Sequence, residues 1–133
     1  MKEAGVKEVM CAYNSFEGEP CCGSNRLLMQ ILRNDWEFDG IVLSDCGAIA
    51  DFYNEYGHKA YSDAESASAA AVLNGTDLEC GSSYKALVKA AQEGKIDEKD
   101  IDKAVLRLLE ARFALGEMDA GQELLAMCRR TAL

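Results

Sequence analysis

Residues 40–48 read GIVLSDCGA. Ile41, Val42 and Leu43 form a short apolar run after Gly40, and residues 41–44 read as a buried strand. Asp45 stands where the apolar run stops. Taken alone, a carboxylate in that place is a loop or capping aspartate. What surrounds it determines whether it does chemistry.

Working outward, strand and helix patterns alternate. Residues 6–13, VKEVMCAY, follow Gly5 and mix β-branched and apolar side chains, which predicts a strand. Residues 17–23, EGEPCCG, read as a loop. Residues 25–34 predict a helix with Leu27, Leu28, Ile31 and Leu32 on one face and Ser24 or Asn25 at its cap. Trp36 follows that apolar face and reads as a packing residue. Residues 62–65, SDAE, have the form of a capping box led by Ser62. The helix this opens, residues 63–73, places Ala64, Ala67 and Ala71 on one side, small enough for close approach to a sheet. A short strand is expected at residues 76–78 and a further helix at 84–93. In the last long helix, Asp97 is the expected cap. Ile96 and Ile101 form a staple, and Ile101, Ala104, Val105, Leu108 and Leu109 form a stripe. Residues 122–129 could add a short helix.

The order β-α-β-α-β-α-α argues for an α/β fold with a parallel sheet covered by helices. Three strands are fewer than the eight of a closed (β/α)8 barrel. The expectation is a partial TIM-type (β/α) barrel: about three β/α units with parallel strands plus a long C-terminal helix.

Composition narrows the function. The chain has 133 residues, a formal charge of −9 and a single histidine, His58. Neither nucleic acid nor an anionic membrane is an expected partner for such an acidic chain. No apolar stretch reaches the ~20 residues needed to span a bilayer. The KEAGVKEV after Met1 lacks the apolar centre of an export signal, although one could lie upstream and send the full-length parent to the periplasm or outside the cell. Six cysteines, at 11, 21, 22, 46, 80 and 128, include no C-x-x-C pair, so no metal site is expected. The cysteines are read as mostly free thiols, with one or more disulfides as the alternative and partners unassigned.

In parallel α/β structures, functional side chains gather at the carboxyl ends of strands. Here those ends offer Tyr13 and Asn14, then Ser44, Asp45 and Cys46, then Asp77 and Glu79. Carboxylates with Tyr and Asn, and no glycine-rich phosphate loop, suit glycosidic chemistry. Asp77 and Glu79 are read as structural, bonding loop amides, and His58 as a surface or leaving-group-side residue.

The ordered set AYN, EGEPCCG, LLMQILRNDWEFDG, VLSD, NGTDLECG and RLLEARFALGEMD resembles the later part of the catalytic barrel of glycoside hydrolase family 3, the β-glucosidase and β-xylosidase family. The likeness runs from about Val6 to Asp119. It implies residues 1–119 as the last three β/α units of that barrel, followed by an atypical tail, 120–133. It also implies hydrolysis of terminal β-D-glycosides with retention, with no cofactor and a β-linked glycoside or oligosaccharide as substrate. By the same resemblance Asp45 is the nucleophile that forms a covalent glycosyl-enzyme intermediate. Tyr13 lies beside it at the glycone subsite, to orient Asp45 or touch the sugar. Cys46 matches a position where many members carry an aromatic wall, a pattern from which a thiol departs. Asn14 and Glu79 are supporting candidates only. The family's acid/base and its other sugar-binding residues have no match here, so the missing barrel strands and acid/base domain are implied partners. The alternative expectation is a non-catalytic fragment of such an enzyme that folds or self-associates through open sheet edges.

Overall fold

The computed structural model describes residues 3–118. The expected tail at 120–133, with its short helix, and Cys128 lie outside the described residues. Strand β1, Glu8–Cys11, is followed by a small antiparallel hairpin of β2, Ser15–Phe16, and β3, Glu19–Pro20. Strand β4, Ile41–Ser44, then pairs in parallel with β1. The hairpin turns through Glu17 and Gly18, both at positive φ (52° and 88°). That is the backbone a two-residue turn needs to match the strand twist. The expected loop at 17–23 is therefore partly a hairpin, closed by a tight turn at Cys21–Gly23.

The third expected strand is reduced to one parallel bridge between Leu43 and Leu78. It remains anchored by backbone bonds. The amides of Asp77 and Leu78 donate to Val42, and that of Ser44 donates to Leu78. The order across the layer is thus β1, β4, then residues 76–78. Within the described residues, these parallel strands and their helices form an α/β layer.

One face of this layer is closed. Val42 is fully buried and packs with Leu28 and Leu32 from the π-helix Asn25–Asp35 and with Ala67 and Ala71 from helix α1, Ala64–Leu73. The first helix forms where its apolar face predicted it, but wound in the wide form. The Trp36 amide donates to the carbonyl of Ile31, five residues back. Trp36 itself is half exposed rather than packed inside. The small alanines of α1 let it lie close to the strands, as expected. The other face is open among the described residues. Met10, Leu43 and Leu78 line up across the three strands there, with Met10 58 % and Leu78 40 % exposed.

A second apolar cluster joins α1 to the remaining helices. Ala69 and Val72 meet Leu87 and Ala90 of α2, Leu87–Gln92, and Ala104 of α3, Glu98–Ala114. Ile96 and Ile101 belong to this cluster, in keeping with the staple. Farther along α3, Val105 and Leu109 remain 43 % and 37 % exposed, so the expected stripe is only partly covered.

The cap of α1 differs from expectation, whereas Asp97 takes the expected position at the start of α3. Asp63, not Ser62, caps α1: its Oδ1 accepts from the Ser66 amide at 2.7 Å, while the Ser62 hydroxyl donates to Asp63 Oδ2. Glu65 does not close a capping box but pairs with Lys89 across to α2. Asp97 precedes α3 without a side-chain cap bond, because its carboxylate pairs with Lys99.

The thiol expectation is also corrected. Cys11 is joined to Cys22 and Cys46 to Cys80, leaving Cys21 as the free, buried cysteine among the described residues. Cys11 and Cys22 are 11 positions apart, but the hairpin folds the chain back between them. The parallel pairing of β4 with residues 76–78 brings Cys46 and Cys80 to neighbouring strand ends.

Candidate active site

The end of β4 holds the candidate site. The chain leaves Ser44 and turns at once. The Asp45 amide donates to the carbonyl of Cys11 at 3.0 Å, and the Gly47 amide donates to that of Cys80 at 2.7 Å. Asp45 is thereby fixed between the ends of both neighbouring strands. Its Oδ1 accepts the Cys46 amide at 2.7 Å, and the residue is half buried. Among the described residues its carboxylate makes no ion pair. Gly47 sits at φ 82°, a backbone that favours glycine and permits this tight reversal.

Tyr13 comes from the end of β1 and reaches across. Its hydroxyl donates to the Cys46 carbonyl, one residue past Asp45. Burial raises the phenol above its usual pKa, and the negative charge and hydrogen bonding of Asp45 raise it further, with Asp51 adding to the effect. The phenol therefore stays protonated beside the carboxylate. The structure brings Tyr13, Asp45 and Cys46 together, as the strand ends predicted.

Not every strand-end residue joins them. Ser44 is fully buried, and its hydroxyl accepts the Cys80 amide at 3.1 Å. Asn14 is exposed, and its amide group reaches only the adjacent Ser15 carbonyl. Glu79 accepts the amides of Ser83 at 2.8 Å and Tyr84 at 2.6 Å, capping the turn Ser83–Ala86. Cys46 presents a disulfide, not a thiol. Sγ is bonded to Cys80, which clips the turn carrying Asp45 to the next strand end.

Asp77 is the main departure. It sits level with Val42, below the strand ends, with its side chain 1 % exposed. One oxygen accepts the Val42 amide at 2.9 Å and pairs with Arg33 at 2.6 Å, and the other pairs with Arg107 at 2.7 Å. Burial lowers the Arg33 guanidinium below its usual range, and Arg107 adds to this. Asp77 opposes it. Arg33 also donates to the carbonyls of Phe38 and Gly75. The structural reading of Asp77 is right, but its partners are arginines and a strand amide. Arg33 and Arg107 escape a reading of the sequence because each sits on a helix, where an arginine looks like a solvated charge.

His58 also does more than its place in a polar loop suggests. It follows Asp45 by 13 positions, yet its Nε2 is 2.7 Å from the Tyr13 carbonyl oxygen.

Comparison with known proteins gives this geometry a context. Residues 1–111 match the glycosyl hydrolase family 3 N terminal domain. A xylan 1,4-beta-xylosidase of Xylanibacter ruminicola is 55 % identical over 121 residues, covering 90 % of this chain and 14 % of that protein. A probable exo-1,4-beta-xylosidase of Aspergillus terreus is 42 % identical over 122 residues, covering 89 % and 16 %. The solved structure of a GH3 exo-beta-xylosidase with a xylobiose aziridine activity-based probe superposes with a TM-score of 0.86. It is 35 % identical and covers 92 % of this chain and 16 % of its own. A beta-glucosidase from Listeria innocua in complex with glucose gives 0.82 at 35 % identity, covering 90 % and 16 %. The chain thus spans about one-sixth or less of these relatives' length. The chain belongs to glycosyl hydrolase family 3.

Proposed function

We propose that this chain supplies the nucleophile half of a β-glycosidase active site, in a protein that removes terminal β-linked sugars with retention. Asp45 attacks the anomeric carbon as the glycosidic C–O bond breaks and the leaving oxygen takes a proton from a general acid. This forms a glycosyl-enzyme ester, which water then cleaves to release the sugar and free the Asp45 carboxylate. The observation that carries the reading is the placement of Asp45. It is a half-buried carboxylate at a parallel strand end, without an ion pair among the described residues and with a protonated Tyr13 phenol beside it. Such a carboxylate is free to attack, whereas one held by arginines is not. Tyr13 orients Asp45 or touches the sugar, and the Cys46–Cys80 disulfide stands where a side-chain wall for the substrate would be. Glu79 is engaged with backbone amides, so the proton donor comes from another part of the full-length protein.

The open row of Met10, Leu43 and Leu78 supports a partial (β/α)8 barrel, with that face as the barrel interior. Residues 1–119 are then the last three β/α units. β-Xylosides are the preferred substrate class, because the curated relatives named above are xylosidases. The test is the kcat/KM of the full-length protein on aryl β-xylosides and aryl β-glucosides, with the anomer of the first product read by NMR. A β-configured product with xyloside preferred is expected, and an α-configured product contradicts Asp45 as nucleophile.

The same open face and the edge of β1 favour a second reading for the 133-residue chain by itself: an inactive unit that self-associates. Sedimentation of the purified chain, with an aryl β-xyloside assay, checks this. Turnover by a monomer would refute it.

A further inference from the structure

Residues 48–61, which follow Asp45, form a closed loop pinned from inside. The His58 amide donates to the Asp51 carbonyl at 2.7 Å, and the amides of Ala60 and Tyr61 both donate to that of Phe52. Phe52, 1 % exposed, stacks on Tyr61 at 5.7 Å and meets the His58 ring edge-on at 6.5 Å. Gly57 passes so close that a Cβ there would lie 2.1 Å from the Asp51 carbonyl oxygen. Lys59 is held at φ 53°, a strained backbone for a non-glycine residue. This much constraint fixes the direction of one side chain, His58.

Its Nε2 meets the carbonyl oxygen of Tyr13, 45 positions earlier, at 2.7 Å. A carbonyl only accepts, so Nε2 carries the proton. Tyr13 is thus held at both ends: its carbonyl by the loop after Asp45, its hydroxyl on Cys46, the residue next to Asp45.

We propose that His58 is a positioning residue. Its Nε2–H holds the backbone of Tyr13 so that the phenol stays docked on the Cys46 carbonyl beside the Asp45 carboxylate. The catalytic consequence rests on the reading of Asp45 as nucleophile, whereas the geometric consequence does not. Without the clamp the phenol swings away from Asp45, and the reacting carboxylate loses its fixed neighbour. Misplacement of this kind acts on the chemical step more than on binding.

The experiment has a geometric arm and a kinetic arm. In the 133-residue chain, the Tyr13 phenol is titrated by NMR in wild type and His58→Ala. Its pKa is expected to fall toward the ordinary tyrosine value as the phenol leaves Asp45, and an unchanged value overturns the proposal. In the full-length protein, His58→Ala is expected to lower kcat on an aryl β-xyloside at least ~10-fold with KM within about twofold. His58→Gln, which keeps an N–H donor at similar reach, should restore most of it. A Gln variant as slow as the Ala variant, or an Ala variant as fast as wild type, overturns the clamp. Should His58→Ala not fold, the imidazole tautomer of the wild-type chain decides. Long-range proton–nitrogen NMR in mildly alkaline solution should find the proton on Nε2, and a proton on Nδ1 overturns the proposal. Full activity of Asp45→Ala would sink the nucleophile reading alone, and the Tyr13 titration would then decide whether His58 is the clamp.

Discussion

Asp45 and Asp77 lie on neighbouring parallel strands and differ in almost everything but residue type. Asp77 is 1 % exposed and held by two arginines and the Val42 amide. Asp45 is half buried, bonded to the Cys46 amide and free of ion pairs among the described residues. The first position joins two helices and a strand, and moving its charge would break that junction. The second leaves a carboxylate with unshared lone pairs at the mouth of the sheet. A buried charge that is fully paired is structural, and one that is placed but not neutralised is available for chemistry.

The sharpest way to break this contrast is to delete each carboxylate. Asp45→Ala should lower kcat of the full-length protein by roughly four orders of magnitude or more, with its urea midpoint near wild type. Asp77→Asn should do the reverse. It strands Arg33 and Arg107 beside a neutral amide, and a loss of about 3–5 kcal/mol in urea unfolding is expected for breaking a buried pair. If Asp77→Asn unfolds like wild type, the assignment of the two roles is wrong.

The disulfides come next. By loop-closure entropy, replacing Cys46 and Cys80 with serine should cost about 4 kcal/mol for a separation of 34 residues, and replacing Cys11 and Cys22 about 3 kcal/mol for a separation of 11. Both are measured by urea unfolding. The Cys46–Cys80 pair clips the turn that carries Asp45, whereas Cys11 meets Asp45 through its backbone carbonyl alone, so loss of Cys46–Cys80 should slow catalysis more. Equal slowing by both pairs would blur the contrast between the site and its support.

The smallest effect concerns Asp63 at the α1 cap. Its carboxyl is held far below the usual carboxylate range, first by the Ser62 hydroxyl, then by the Ser66 amide and side chain and by Lys95. A depressed folded-state pKa contributes stability above the unfolded value, and that stability is lost as pH falls toward the folded value. Glu65, lowered mainly by Lys89, acts in the same direction. Asp63→Ala should therefore flatten the acid side of the stability–pH curve, and because the Lys95 ammonium is raised first by Glu93 and then by Asp63, it should also make the alkaline side shallower. An acid limb as steep as wild type would show that Asp63 contributes nothing to it.

Much of this was legible in the residues. The apolar run at 41–43 and the helical spacing of Leu27, Leu28, Ile31 and Leu32 report burial directly, since each periodicity reflects a covered face. Asp45, Tyr13 and Cys46 stand out because a parallel sheet collects its strand ends in one place. The rest depends on contacts distant in sequence. The two disulfides pair cysteines 11 and 34 positions apart. Arg33 and Arg107 converge on Asp77 from separate helices, and nothing local distinguishes them from surface charges. Asp63 displaces Ser62 as the cap because a carboxylate with two oxygens can accept from the Ser66 amide and the Ser62 hydroxyl at once. His58 reads from the sequence as part of a loop, and only the fold shows that this loop returns to Tyr13.

The central claim, that Asp45 is the nucleophile, is tested most directly by trapping the intermediate. The full-length protein is incubated with a 2-fluoro β-xyloside carrying a good leaving group, digested, and its peptides read by mass spectrometry. A fluoroxylosyl ester is expected on the peptide containing Ser44, Asp45 and Cys46, located to Asp45 by fragmentation. A label on any other carboxylate, Glu79 and Asp77 included, would contradict the claim.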